Sequence, residues 1–263
     1  MPYEKELNFA KSLAIEAGNL IKSYFYKEVK AFSKGKRDIV TKVDKISESL
    51  IIKKINKIFP EHSILAEESG KHQKQSDYEW VIDPLDGTTN FKHHIPFFNV
   101  SIALKHKKDL VLGVVYAPLT NEIFYARKGS KAYLNNKTIK PSKEKELEKC
   151  FLGCCHSNSD QSISKFLCSL KTLKYKTRDI RKFGSAALEI CYVAAGRLNA
   201  FLGIDVKPWD FSAAILIARQ AGCKTRPLFN DAENNIFVSS PYIYNKLEPL
   251  IEKIERDYYE KKC

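Results

Sequence analysis

The stretch WVIDPLDGTTNF, Trp80 to Phe91, decides how the rest of the chain is read. An apolar run of strand character delivers Asp83, Pro84 stiffens the exit, Asp86 follows three residues later, and Gly87 permits a tight turn into Thr88 and Thr89. Two carboxylates therefore leave one strand end together. At about 4 Å two such charges repel by roughly 4 kcal/mol at an effective dielectric of 20, an arrangement that a bridging cation relieves. Donors that are all oxygen favour magnesium or manganese. Taken alone, the same residues also read as an Asx-Pro turn followed by a helix N-cap.

Three further elements share this theme. LAEES, Leu65 to Ser69, puts Glu67 and Glu68 just after another short apolar stretch, and this pair matters if its strand lies beside the one that ends in Asp83. DIVTKVD, Asp38 to Asp44, places Thr41 three residues before Asp44 at the start of a helical pattern, the spacing of a capping box with Asp in place of Glu. PWDFSAAILIARQAG sets Asp210 directly before a helix that Gly222 ends, so by itself Asp210 reads as an N-cap. Each feature has a structural reading of its own. Together they place carboxylates at the mouths of strands and the heads of helices.

Around these elements the chain is an ordinary globular sequence. Its 263 residues allow one large domain or two modest ones, and 44% hydrophobic with 29% charged residues excludes a collagen or a disordered chain. The net charge of +13 suits an anionic partner: a phosphate ester, nucleic acid or a membrane surface. Seven cysteines, an odd number without a CxxC pair, give no disulfide framework or zinc site and favour a reducing compartment. The first residues, MPYEKELNFAKSLAIEAGNLI, have charges scattered through them and lack the pattern of a secretory signal. The uncharged stretches His93 to Leu104 and Leu110 to Asn121 are too short for a bilayer, so a cytoplasmic protein without membrane contact is expected.

Hydrophobic period organises the chain. Leu7, Ala10, Leu13, Ala14, Ala17, Ile21 and Tyr24 predict one amphipathic helix, and Val43, Ile46, Leu50, Ile51, Ile55 and Ile58 a second that Pro60 stops. From Phe97 to about Ile139, Val-, Ile-, Tyr- and Phe-rich runs broken at polar turns predict an antiparallel meander. The polar segment Lys140 to Lys149 marks a boundary, so residues 1–142 and 143–263 are expected as two domains. Beyond it, strand-length runs (Phe151 to Cys155, Ala200 to Ile204, Ile236 to Val238) alternate with helical patterns (Ser185 to Ala195, Phe211 to Ala221, Tyr242 to Ile254).

The four acidic elements, in this order, resemble the inositol monophosphatase family, whose two signatures are matched by WVIDPLDGTTNF and PWDFSAAILIARQAG. The resemblance runs over nearly the whole chain. It implies an α+β, layered αβαβα sandwich, with an antiparallel sheet in the N-terminal half and an α/β C-terminal half that delivers Asp210 and substrate contacts across a cleft. It also implies two to three Mg2+ ions, with Mn2+ as a substitute. Glu67, Asp83 and the main-chain carbonyl of Leu85 would hold one; Asp83, Asp86 and Asp210 a second; and Glu67 would face a third. Asp44 and Thr88 would orient and activate the attacking water, with Glu67 also in the catalytic set. Gly87, Thr88 and Thr89 would offer donors to the phosphate, and Gly184, Ser185 and Ala186 match the family's substrate-side helix start.

The implied reaction is Mg2+-dependent hydrolysis of a small phosphate monoester, inositol 1-phosphate first, by a lithium-sensitive homodimer. One position departs from the pattern. Members acting on inositol phosphate carry a Glu seven positions before the metal-binding Asp, and this chain has Gly203 there. Asp205 stands two residues on, a shift of about 6 to 7 Å along a strand. A 3'(2'),5'-bisphosphate nucleotidase, fructose-1,6-bisphosphatase or NADP phosphatase therefore stays open, and Lys207 would suit a second phosphate.

Two rival readings come from other features. Cys191 to Arg197 has the CxxxxxR spacing of cysteine-dependent phosphatases, but it lies in a good helical pattern, not in a phosphate-cradling loop. Lysine clusters such as Lys105 to Lys108 would suit association with RNA or RNA polymerase, the regulatory role linked to a bacterial branch of the family. They lack the interleaved aromatic platforms of single-strand readers. His93 and His94 have no metal partner at ligand spacing and read as surface or supporting residues.

Overall fold

The computed structural model describes residues 2–35 and 38–263. In chain order the N-terminal half runs α1 (Glu4–Tyr24), β1 (Ala31–Gly35), β2 (Asp38–Thr41), α2 (Lys42–Ile58), β3 (Ser63–Ala66), β4 (Gly70–His72), β5 (Tyr78–Asp86), α3 (Thr88–Lys92), β6 (Asn99–His106), β7 (Asp109–Ala117), β8 (Glu122–Arg127), β9 (Tyr133–Leu134) and β10 (Lys137–Thr138). The C-terminal half continues with β11 (Phe151–His156), α4 (Asp160–Lys174), β12 (Asp179–Arg181), α5 (Ala186–Ala194), β13 (Ala200–Ile204), α6 (Pro208–Ala221), β14 (Lys224–Leu228), β15 (Asp231–Ser239) and α7 (Tyr244–Tyr259).

The larger sheet has eight strands in the order β10-β9-β8-β7-β6-β5-β3-β4, and the smaller has five in the order β12-β11-β13-β15-β14. Helix α1 buries the face carried by Leu7, Ala10, Leu13, Ala14, Ala17 and Ile21, and with α2 it covers one side of the large sheet around Trp80, Ile82 and Ile102. The opposite side packs on α5 and α6, which in turn cover the small sheet. Helices α4 and α7 close the far side around Leu152, Leu202 and Phe237. The result is five layers, αβαβα, as the resemblance implied. The close approach of α6 to the large sheet depends on Gly113: a Cβ there would lie 2.3 Å from the Ala213 carbonyl oxygen.

The large sheet is not wholly antiparallel. Strand β3 pairs in parallel with β5, Ala66 opposite Ile82, because β4 turns the chain back at the edge before β5 begins. Helix α6 also starts earlier than its apolar pattern. Pro208 is pre-set for a first turn, so Asp210 lies in that turn and is not the N-cap, which is Lys207. Cys168 in α4 and Cys263 at the C-terminus are joined by a disulfide with Cα atoms 5.1 Å apart, a pairing the sequence did not predict across 95 residues. The other five cysteines are free. Among the described residues no helix is long and apolar enough to cross a membrane.

Candidate active site

The site grows from the end of β5. The pairing of β5 with β6 runs regularly from Tyr78 to Asp83 and slips between Asp83 and Asp86, where Pro84 cannot donate to the ladder. The irregularity turns both carboxylates toward one cavity, which they line with Glu67, Thr88, Gly184 and Asp210. Ser47 of α2 holds the kink by donating to the Pro84 carbonyl at 3.0 Å. Gly87 then takes φ 96°, a left-handed conformation that costs other residues, and starts the short helix α3.

Parallel pairing of β3 with β5 carries Glu67 to the same place, its N–H donating to the Ile82 carbonyl at 3.2 Å. Glu68 lines a separate cavity with Glu48 and His72, and its N–H donates to Glu48 Oε2 at 2.8 Å. From the other half, α6 brings Asp210, whose Oδ2 accepts from the Lys207 N–H at 2.7 Å. Asp86 is fixed by three donors to its Oδ2: Asn99 Nδ2 at 2.9 Å, Ser185 Oγ at 2.6 Å and Ala187 N–H at 3.0 Å.

Asp44 is fully buried and tied at both oxygens. The Thr41 N–H and hydroxyl donate to its Oδ2 at 2.9 and 2.5 Å, completing the capping box of α2, and Thr88 Oγ1 donates to Oδ1 at 2.7 Å. Thr88 also reaches the Leu85 carbonyl at 3.1 Å. Asp44 thus closes the capping box of α2 and, through Thr88, is bonded to a residue that lines the cavity. Of the DxVTxxD element, the Asp38 side chain lies outside the described residues.

Electrostatics set this cluster apart. Burial drives the Asp83 carboxyl well above the usual carboxylate range, and the charges of Glu67, Asp86 and Asp210 push it further. Asp210 is raised well above that range by burial and by Asp86. Burial raises Asp86 despite the Ser185 and Asn99 donors, and raises Asp44 despite Thr41 and Thr88. Among the described residues no three Asp, Glu, His or Cys side chains close on one point as a finished cage. Instead Asp83 hydrogen-bonds Glu67, two acids sharing a proton where a cation would satisfy both. A buried, like-charged, all-oxygen donor set fits a hard divalent ion.

This carries a prediction for the ion-free protein. The folded state binds protons at Asp83 and Asp210 more tightly than the unfolded chain does. Their stabilisation is therefore complete below the ordinary carboxylate value and is lost as pH rises through the raised folded values. A divalent ion takes over from those protons. At about 100 times its Kd, Mg2+ should raise the Tm by about 5 °C or more at pH 8 and by clearly less at pH 5. Thermal melts with and without Mg2+ check this, and an equal or larger rise at pH 5 would contradict it.

The remaining expected residues fall around the same cavity. Gly87, Thr88, Thr89, Gly184 and Ala186 line it, whereas Ser185 is fully buried and turned toward Asp86. Gly203 faces away from bulk water: a Cβ there would meet Ile236, Phe201 and Val206 at 3.0 Å. Cys155 also lines the cavity, but burial pushes its thiol far above the ordinary range, leaving it inert as a nucleophile. Cys191 is buried in α5, as its helical pattern predicted. Sequence reasoning missed Asn99, Ser47 and Asn90. Each is a polar residue in or beside an apolar run, and their partners are distant in sequence.

A model of the inositol monophosphatase family matches residues 3–256. The chain is 43% identical over 220 residues to the Nus factor SuhB of Escherichia coli, covering 82% of each chain. The fold is similar to that of the extragenic suppressor protein suhB from Bartonella henselae, with TM-score 0.90 and 34% identity over 95% of this chain and 99% of that one. It is also similar to an IMPase of Thermotoga maritima, with TM-score 0.88 and 31% identity over 97% and 99%.

Proposed function

The chain belongs to the inositol monophosphatase family, and from that premise we propose that it is a Mg2+-dependent phosphatase that hydrolyses a small polyhydroxylated monophosphate, inositol 1-phosphate first. The observation that carries the reading is the buried cluster of Asp83, Asp86, Asp210 and Glu67, whose mutual repulsion calls for cations. Glu67, Asp83 and the Leu85 carbonyl would hold one ion, and Asp83, Asp86 and Asp210 another, with Glu67 open to a third. When bound, such ions polarise the phosphorus–oxygen bonds and lower the pKa of water, and Mn2+ can replace Mg2+ in this role.

The protein's own groups do the rest. Thr88 spends its proton on Asp44 Oδ1, so its oxygen is left to accept a proton from the attacking water. Asp44, raised by burial, stores that proton at the end of the relay. Asp86, fixed by Ser185, Asn99 and Ala187, holds its carboxylate in a single orientation.

A second, larger cavity of about 830 Å3 adjoins the cluster and shares Glu67, Cys155 and Asp210 with it. It is the place for the alcohol part of the ester. Asp205 sits on its wall in a left-handed backbone conformation at φ 54°, held by Asn235. Although burial pushes the Asp205 carboxyl up, donors from Ser157, Lys207 and Ser162 hold it down at about 2. Lys207 is thus already paired, its Nζ 2.9 Å from Asp205 Oδ1. With Asp160 also on the wall, acids outnumber that lysine, which disfavours a second phosphate and suits hydroxyl donors. Asp205 thereby supplies the acidic wall that Gly203 does not.

The test is phosphate release, with and without Mg2+, from inositol 1-phosphate, adenosine 3',5'-bisphosphate, fructose 1,6-bisphosphate and NADP. We expect inositol 1-phosphate to exceed every substrate with a second phosphate by at least about tenfold in kcat/KM, roughly 1.4 kcal/mol. Preference for a bisphosphate would overturn the substrate assignment, and no release from any compound would overturn the enzymatic one.

A second reading rests on the relatives named Nus factor and on the +13 charge: association with RNA or RNA polymerase. RNA binding that weakens steeply between 50 and about 200 mM salt would support it. Salt-independent or undetectable binding would count against it.

A further inference from the structure

Glu189 has no part in the chemistry above, yet it is completely buried in α5 one turn beyond the site. Its Oε1 accepts from the Phe183 and Gly184 N–H groups at 3.1 and 3.2 Å. Its Oε2 makes no hydrogen bond, and although the Cys154 N–H lies near the carboxyl and favours its charged form, burial outweighs that donor. Space for that oxygen exists because residue 153 is glycine; a Cβ there would stand 2.6 Å from it. A charged carboxylate with one oxygen buried and unpaired is far costlier than a neutral acid in the same place. The geometry therefore calls for an acceptor, not for an anion.

The turn that Glu189 grips is clamped from its other side by Asn90, whose Nδ2 donates to the Phe183 carbonyl at 2.7 Å and to the Phe97 carbonyl at 2.8 Å. Gly184 lies between the two clamps at φ 85°, and a Cβ there would come within 3.1 Å of the Asn90 amide. The next residue is Ser185, which caps α5, receives the Asn99 amide and donates to Asp86. A turn held from both halves thus leads directly into the hydroxyl that orients one of the site's carboxylates.

We propose that Glu189, as an uncharged acid, is a positioning residue that holds the Phe183–Gly184 turn closed and thereby aims Ser185 at Asp86. The link from Ser185 to ion binding rests on the functional reading above, whereas the clamp itself does not. Hydrogen exchange at the Phe183 and Gly184 amides, without ion or substrate, reads the clamp. Mn2+ affinity by electron paramagnetic resonance, again without substrate, reads its consequence.

In Glu189→Leu both amides should exchange at least about tenfold faster, and Mn2+ should bind about tenfold more weakly, the size of effect expected when a group supporting a ligand is lost. Glu189→Gln, which keeps the acceptor and the shape, should restore both to within about twofold of the native protein. Ser185→Ala should weaken Mn2+ while leaving the amides protected, which a merely structural defect would not do. Exchange in Glu189→Leu as slow as native would overturn the clamp. Equal loss in Glu189→Gln and Glu189→Leu would overturn the uncharged acceptor, and should Glu189→Leu fail to fold, fast exchange in Glu189→Gln alone would do so. If the native protein binds no Mn2+ while the exchange follows this order, the clamp stands and the phosphatase reading falls.

Discussion

Asp83→Asn should lose Mg2+-dependent phosphate release by roughly 10^3-fold or more, because Asp83 stands between Glu67, Asp86 and Asp210 and serves both expected ions. Asparagine keeps the shape and can still accept from the Leu85 N–H, which donates to Asp83 Oδ1 at 2.9 Å in the native protein. It cannot supply a second anionic oxygen. The fold should tolerate the change, since the native carboxyl is already driven toward its neutral form by burial and by its neighbours. Ion-free Asp83→Asn at pH 8 is therefore expected to melt no lower than the native protein, and Mg2+ should no longer raise its Tm. Activity assays with melts at two Mg2+ concentrations check both halves. Undiminished turnover would sink the metal assignment, and a collapse of the ion-free Tm would show the residue to be structural.

Asp44→Asn should behave differently. Asp44 is surrounded by donors alone: the Thr41 N–H and hydroxyl on one oxygen and the Thr88 hydroxyl on the other. An asparagine can place its one carbonyl oxygen toward either side, and its NH2 must then face a donor. The proton relay through Thr88 breaks, and kcat should fall about 10^2- to 10^4-fold, the range of a lost general base. Part of the α2 capping box also goes, at a cost of about 1 kcal/mol in stability. Asp44 is tied to two threonines and not to the acid cluster, so KM and Mg2+ affinity should hold within a few-fold. Steady-state kinetics across a Mg2+ titration separate the outcomes: loss through Mg2+ affinity with unchanged kcat at saturation would remove Asp44 from the relay.

Much of this site was legible because its members announce themselves locally. Asp83 and Asp86 are bracketed by Pro84 and Gly87, whose backbone constraints are read one residue at a time, and Thr41 with Asp44 shows the spacing of a cap. The helices α1 and α2 followed from apolar period, as did the meander β6 to β8. Helix α4 did not, because its start, SNSDQSIS, has the composition of a loop; in the structure Ser159 caps it and it packs against α7 and the small sheet. The apolar run of α6 placed the helix start about one turn late, after Asp210, since Pro208 and Trp209 carry a first turn that hydrophobic period does not reveal.

The proposed substrate side resisted sequence reading for a related reason. Counting positions singled out Gly203, but the chain leaves β13 at Ile204 and turns through a left-handed Asp205. The strand rise assumed for the separation of Gly203 and Asp205 therefore does not apply, and Asp205 with its serines reaches the cavity wall. Lys207, read as a candidate for a second phosphate, forms an ion pair with the same residue.

By itself, then, the sequence determined which groups the proposed chemistry would use: carboxylates at strand ends and helix heads, a threonine after a glycine turn, and an oxygen-only donor set. Those properties depend on backbone preferences and periods that span a few residues. The tertiary structure decided who stands beside whom. Parallel pairing brings Glu67 to Asp83, the Gly113 contact lets α6 carry Asp210 across, and Ser185 reaches Asp86 from 99 residues away. No local pattern encodes such pairs, because their energy comes from burial and hydrogen bonding that exist only once both halves of the chain are packed.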